Sequence, residues 1–125
     1  MKILLDTSVL LWWLNDDPTL GDLARELIAS PDNLVFYSAA SIWEIRLKQS
    51  IGKLDLPDDF ADALANQMFE ALSVTVEHAH ALRDLPPLHG DPFDRLLIAQ
   101  AQCERLTLVT RDSILRQYDV ATSLV

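Results

Sequence analysis

Basic residues are scarce in this chain. Ten Lys and Arg face 19 Asp and Glu, a formal net charge of −9 with a pI near 4.5. That balance excludes a protein whose whole surface attracts nucleic acid, so any phosphate-bearing ligand needs locally placed cations. Cysteine is nearly absent as well. The single Cys103 excludes an internal disulfide and a multi-cysteine zinc site, and it suits a reducing compartment. With only three glycines, no glycine-rich phosphate loop can be written. The longest relevant apolar run, Val9 to Leu14, has six residues, far short of the roughly 20 that cross a bilayer. The start, Met1-Lys2, meets an acid at Asp6 and carries no small-residue cleavage pattern of a signal peptide. These absences predict a cytoplasmic protein with no membrane partner.

What is present is apolar. Half of the 125 residues are hydrophobic and 23% are charged, enough to bury a sizeable core at about the commonest size of one domain, so residues 1–125 read as a single domain. Lys2 to Leu5 is an apolar run closed by Asp6-Thr7-Ser8, and Val9 to Leu14 reads as a buried helix stopped by Asp16-Asp17-Pro18. Gly21 to Ser30 has amphipathic spacing, with Leu23, Leu27 and Ile28 on one face. Leu34 to Tyr37 is a second strand, and Ser38 caps a helix to about Ser50, closed by Gly52. Pro57-Asp58-Asp59 opens another helix to about Leu72. Leu72 to Val76 predicts a third strand, and Glu77 to Leu85 a short helix broken by Pro86-Pro87. Asp91-Pro92-Phe93-Asp94 has the chemistry of a helix start, and that helix runs to about Arg105. Thr107 to Thr110 is a fourth strand, a turn or two of helix reaches Tyr118, and Val120 to Thr122 is a possible edge strand. Alternating strands and helices predict an α/β fold, a three-layer α/β/α arrangement around a mostly parallel sheet of four to five strands.

In such a sheet all strands end on one edge, where ligands gather. Four acids map there: Asp6 after strand one, Glu44 two turns into the helix after strand two, Asp94 in the first turn of the long helix, and Asp112 just past Thr110. Two carboxylates about 4 Å apart repel by about 4 kcal/mol at an effective dielectric near 20, so four together require protonation or a cation. Oxygen donors without cysteine or a histidine pair favour Mg2+, with Mn2+ the other hard ion, over zinc. A site of this kind hydrolyses a phosphodiester with metal-activated water.

The segments Leu4-Leu5-Asp6-Thr7, Ser38-Ala39-Ala40-Ser41-Ile42-Trp43-Glu44-Ile45, His89-Gly90-Asp91-Pro92-Phe93-Asp94-Arg95-Leu96-Leu97-Ile98-Ala99-Gln100-Ala101 and Leu108-Val109-Thr110-Arg111-Asp112 resemble the four motifs of PIN domains. The similarity is greatest to the VapC toxins of prokaryotic toxin–antitoxin pairs, and it spans essentially the whole chain. The resemblance implies a magnesium-dependent ribonuclease with an α/β/α fold, often dimeric, inhibited by an antitoxin encoded beside it. The family's site acids carry over to Asp6, Glu44, Asp94 and Asp112, with Asp6, Asp94 and Asp112 as metal ligands. Two rivals are a receiver-like signalling domain that binds metal without cutting, and a PIN-fold nuclease acting on DNA.

Each residue also has a structural reading. Asp6 and Asp112 can cap the helices that follow them, and Ser41-Ile42-Trp43-Glu44 matches a capping box. Asp91 suits the N-cap before proline, leaving Asp94 for metal. Thr7 and Thr110 either orient site groups or satisfy backbone. His78 and His80 read as surface residues, His89 as a hydrogen-bonded loop residue that can touch substrate, and Cys103 as an inert core residue. Trp12, Trp13 and Trp43 read as core or subunit contacts. Arg46, Lys48, Lys53, Arg95 and Arg111 flank the acidic motifs as candidates for RNA phosphates. The run Val9 to Leu14 together with Ile42, Trp43, Ile45 and Leu47 offers more apolar surface than one small sheet covers, which predicts a homodimer.

Overall fold

A computed structural model describes residues 1–125. The central strand β1 (Lys2–Leu5) alternates between two cores, as a strand buried on both faces must. Ile3 and Leu5 pack with Val9, Leu10, Ile28 and Ile45 on one side, whereas Leu4 packs with Leu97, Ile98 and Leu108 on the other. The first side is covered by α1 (Thr7–Leu14), α2 (Asp22–Ala29), α3 (Ala39–Ser50) and α4 (Phe60–Ala65). The second is covered by α5 (Val76–Ala81), α6 (Pro92–Glu104) and the short 3-10 turns Leu82–Asp84 and Ser113–Gln117. The α/β/α layering expected from the sequence is therefore present.

The sheet has five strands, all parallel, in the order β3 (Glu70–Leu72), β2 (Leu34–Ser38), β1, β4 (Thr107–Thr110), β5 (Thr122–Leu124). The chain steps outward from β1 to β2 and β3, then returns to place β4 on the opposite side of β1. The direction of winding reverses between β1 and β4, and such a reversal opens a crevice beyond the strand ends. A receiver-like sheet runs 2-1-3-4-5, so this order does not support the receiver reading.

Four segments differ from the sequence reading. The helix expected to reach Leu72 ends at Ala65, and Glu70–Leu72 becomes β3, in register Phe36↔Glu70 to Ser38↔Leu72. The strand expected at Leu72–Val76 does not continue, because Thr75 caps α5 through its side chain and so turns the backbone away. The last strand falls at Thr122–Leu124, two residues later than expected. Along α2, Ala24 and Ile28 face the core while Leu23 is 80% exposed. His78, expected at the surface, is fully buried: its Nδ1 accepts from the Thr75 N–H (3.1 Å) and its Nε2 lies 2.8 Å from Glu104 Oε1. Cys103 is only partly buried, so it is not a core residue.

One buried polar bond ties the two faces together at the functional edge. Ser38 caps α3 by accepting from the Ala40 N–H (3.0 Å), and its hydroxyl donates to Oε1 of fully buried Gln100 on α6 (2.5 Å). Replacing Ser38 by Ala removes the cap and leaves the amide oxygen unpaired in the core. We expect Ser38→Ala to lower the unfolding free energy by about 1–3 kcal/mol, measured by urea denaturation with an unchanged m-value.

Candidate active site

The four acids reach the crevice by different local devices. Asp6 follows β1 and is still held to β4, its backbone N–H donating to Val109 O (3.0 Å). Its Oδ1 accepts from the Val9 N–H (2.8 Å), capping α1, and its Oδ2 accepts the Thr110 hydroxyl. Asp6 thus caps α1 with one oxygen while it lines the cleft. Glu44 sits in the second turn of α3, whose cap is Ser38; the alternative box starting at Ser41 is not formed. Glu44 is buried, its Oε2 accepts from Lys48 Nζ (2.5 Å), and its Oε1 is buried without any partner.

Asp91 is the N-cap of α6, its Oδ1 accepting from the N–H groups of Phe93 (2.8 Å) and Asp94 (3.1 Å), with Pro92 in the first turn. That frees the Asp94 carboxylate from capping. Asp112 caps the short 3-10 turn through Oδ1, which accepts from the Ile114 N–H (3.0 Å). Its own N–H donates to Thr110 Oγ1 (3.0 Å), so Thr110 joins Asp6 to Asp112 through a single hydroxyl. Asp6, Glu44, Asp94 and Asp112 line one cleft of about 350 Å³ with Thr7 and Lys48 on its wall.

The cleft is electrostatically unfavourable to its own carboxylates. Burial pushes Asp94 up to about 7, with the charges of Asp91, Asp6 and Glu44 adding to the rise. Burial likewise raises Asp6 above the usual carboxylate range, although the Thr110 hydroxyl and the Val9 N–H pull the other way. The hydrogen bond to Glu44 holds Lys48 above the ordinary ammonium range, reinforced by the charges of Glu44, Asp91 and Asp94. A crowded carboxylate retains its proton until a cation offsets the field.

The family model of the PIN domain matches residues 3–121. The chain belongs to the PIN domain family. No curated protein matches it by sequence. Among solved structures, this PIN domain is similar to VapBC2 from Rickettsia felis bound to a DNA fragment from their promoter. That match has a TM-score of 0.76 and 18% identity over 99% of this chain and 98% of that one. It is also similar to FitAcB from Neisseria gonorrhoeae (TM-score 0.70, 23% identity, 96% and 95% covered). DNA-bound VapBC from Salmonella typhimurium is a third (TM-score 0.67, 14% identity, 98% and 97% covered). At these identities the likeness concerns the fold.

The donor set fits a divalent cation. Glu44 Oε1 is a buried acceptor with no donor, Asp94 is held part-protonated near neutrality, and every carboxylate in the cleft is a hard oxygen ligand.

Two further residues of this PIN domain meet the acids. His89 lies with Nε2 3.0 Å from Asp112 Oδ2 and 3.1 Å from Asp94 Oδ2. The only signal was its place two residues before a cap. Lys48 pairs with Glu44 at the i,i+4 spacing that favours such pairs and lies on the cleft wall. Arg95 and Arg111 are held by backbone and aromatic partners, although Arg111 also lines the cleft. Arg95 donates to the carbonyls of Leu85 and Pro86 and to the Tyr118 hydroxyl. Arg111 donates to Val125 O (3.0 Å) and Thr19 O (2.5 Å) while lying over Trp12.

Asp94 makes stability depend on pH. Its folded value near 7 lies above its ordinary 3.8, so between these pH values the folded state binds more protons and stability falls as pH rises. Asp94→Asn removes the charge that causes this. In chelator at pH 8 the variant should melt at least about 3 °C above the unmodified chain, and the gap should close by pH 4. A lower melting temperature at pH 8 would contradict the crowded-carboxylate account.

Proposed function

We propose that this chain is a magnesium-dependent endoribonuclease acting as the toxin of a type II toxin–antitoxin pair. The observation that carries the reading is the convergence of four carboxylates, one with a buried unpartnered oxygen, at the winding reversal of a PIN sheet. Asp6, Asp94 and Asp112 would hold the ion. When bound, the cation supplies positive charge that offsets the carboxylates and polarises a phosphodiester oxygen.

The remaining work falls to the chain's own groups. Glu44 Oε1 is the acceptor left to hold a water by its proton and to receive that proton as the water oxygen attacks phosphorus, while the P–O bond to one ribose oxygen breaks and that oxygen leaves as a hydroxyl, protonated from solvent. Thr110 fixes the orientation of Asp6, and Lys48 places an ammonium beside the cleft, where it can meet a phosphate. RNA is the substrate implied by the VapC resemblance.

Partner and assembly follow from the same reading. A toxin-antitoxin complex from Klebsiella pneumoniae is also similar in fold (TM-score 0.57, 19% identity), which supports a cognate antitoxin for this chain. An acidic cleft suits a short basic segment that inserts an arginine towards the carboxylates. Val9, Leu10 and Ile45 are buried within the chain, but Trp43 remains 61% exposed beside exposed Leu47 and Ile51 on and after α3. That apolar strip supports a homodimer. Light scattering at micromolar concentration should give twice the chain mass, and a monomer at all concentrations would overturn the dimer.

The deciding assay is cleavage. Purified partner-free chain should cut RNA with Mg2+ or Mn2+ and stop in chelator. Asp94→Asn should lose at least about tenfold in rate. Asp91→Asn should retain most of it, because Asn caps a helix nearly as well as Asp. Cleavage of a DNA oligonucleotide but not RNA would move the substrate to DNA, and equal losses at Asp91 and Asp94 would show that both serve the ion.

A further inference from the structure

His89, Asp94 and Asp112 offer three ligand atoms within 4.8 Å of one another, the arrangement expected if the imidazole were itself a metal ligand. The other ring nitrogen contradicts that role. His89 Nδ1 lies 3.0 Å from the backbone nitrogen of Asp91. A peptide N–H can only donate, so Nδ1 must be an unprotonated acceptor, and a neutral ring then carries its proton on Nε2. A ligating imidazole is usually arranged the opposite way, donating its second N–H to an acceptor.

We propose that His89 is a positioning residue and not a ligand: an imidazole locked as the Nε2–H tautomer that clips Asp112 to Asp94. Nε2–H donates to Asp112 Oδ2 (3.0 Å) and faces Asp94 Oδ2 at 3.1 Å. The ring is held from its own backbone as well, the His89 N–H donating to the Tyr118 hydroxyl (2.8 Å). The clip joins the first turn of α6 to the 3-10 turn after β4, two elements not otherwise connected by a bond between site side chains. It leaves an all-oxygen donor set, so the centre discriminates between Mg2+ and Mn2+ only as carboxylates do.

The proposal rests on the metal centre of the proposed function, and its test separates the two. Long-range proton–nitrogen NMR of the unmodified chain should show Nε2 protonated and Nδ1 bare, without divalent ion and again with Mg2+ or Zn2+ added. Loss of the Nε2 proton on adding Zn2+, with the nitrogen bound to the ion, overturns the proposal. Calorimetry with Mg2+ and Mn2+ then measures the clip. His89→Phe should weaken both ions about tenfold or more, with their ratio unchanged. His89→Gln, whose amide nitrogen can reach the Nε2 position, should restore most of the affinity. A selective loss of Mn2+ in both variants identifies a nitrogen ligand, and unchanged affinity in His89→Phe removes the positioning role. If the unmodified chain binds neither ion, the metal centre fails, while the tautomer is still read directly from the ion-free spectrum.

Discussion

Mutual repulsion among carboxylates is the constraint around which this molecule is arranged. Four acids far apart in sequence are brought to one cleft because parallel strands end on a common edge and the winding reverses between β1 and β4. The apolar layers on the two faces of β1 hold that edge in place, and burial of those layers is the favourable term against which the crowding is set. The result is visible in the acids themselves: burial first, and the neighbouring carboxylates second, push Asp94 up to about 7 and raise Asp6 despite two hydrogen bonds that favour its anion.

The fold limits this cost by giving individual oxygens separate duties. Asp6 caps α1 with Oδ1 and meets Thr110 with Oδ2; Asp112 caps its turn with Oδ1 and meets His89 with Oδ2. Capping places each carboxylate in a fixed rotamer before any ligand arrives, which is the pre-organisation a charged site requires. Asp91 relieves Asp94 of this work by capping α6 itself. Structural and chemical readings of these acids are therefore not alternatives. An alanine at Asp6 or Asp112 would remove a helix cap together with a site oxygen.

The sequence was most legible where an apolar run meets a capping residue. β1, β2, β4 and α6 carry both signals, and the four acids could be placed because each stands at or near such a boundary. Legibility failed between Asn66 and Val76. There Val74-Thr75-Val76 has β-branched composition, yet both valines are exposed and Thr75 serves as a cap, whereas the actual strand, Glu70–Leu72, is three residues long and little buried. His78 was misplaced because its partners, Thr75 and Glu104, satisfy a buried ring that composition alone assigns to the surface. His89 is hydrogen-bonded in its loop as expected, but its acidic partners are not legible, because they depend on how the loop before α6 is fixed by Tyr118, a tertiary event without local pattern.

A chain of net charge −9 cannot gather a polyanion by its overall field. At physiological salt, charges more than about 8 Å away are largely screened, so the local balance at the cleft outweighs the total. Locally, five carboxylates, Asp91 among them, share the cleft with Lys48, which is already paired with Glu44, and with Arg111, which donates to two backbone carbonyls. On the proposed reading, phosphate approaches this wall only after a divalent ion has reversed its sign. Ion and substrate binding are then coupled through one field: whatever weakens the ion weakens the substrate. An inhibitory partner gains from the same imbalance, since a cationic side chain satisfies the acids without supplying the ion's chemistry. On that reading the acidic cleft would receive both metal and inhibitor, and the two would compete because both answer the same acidic charge.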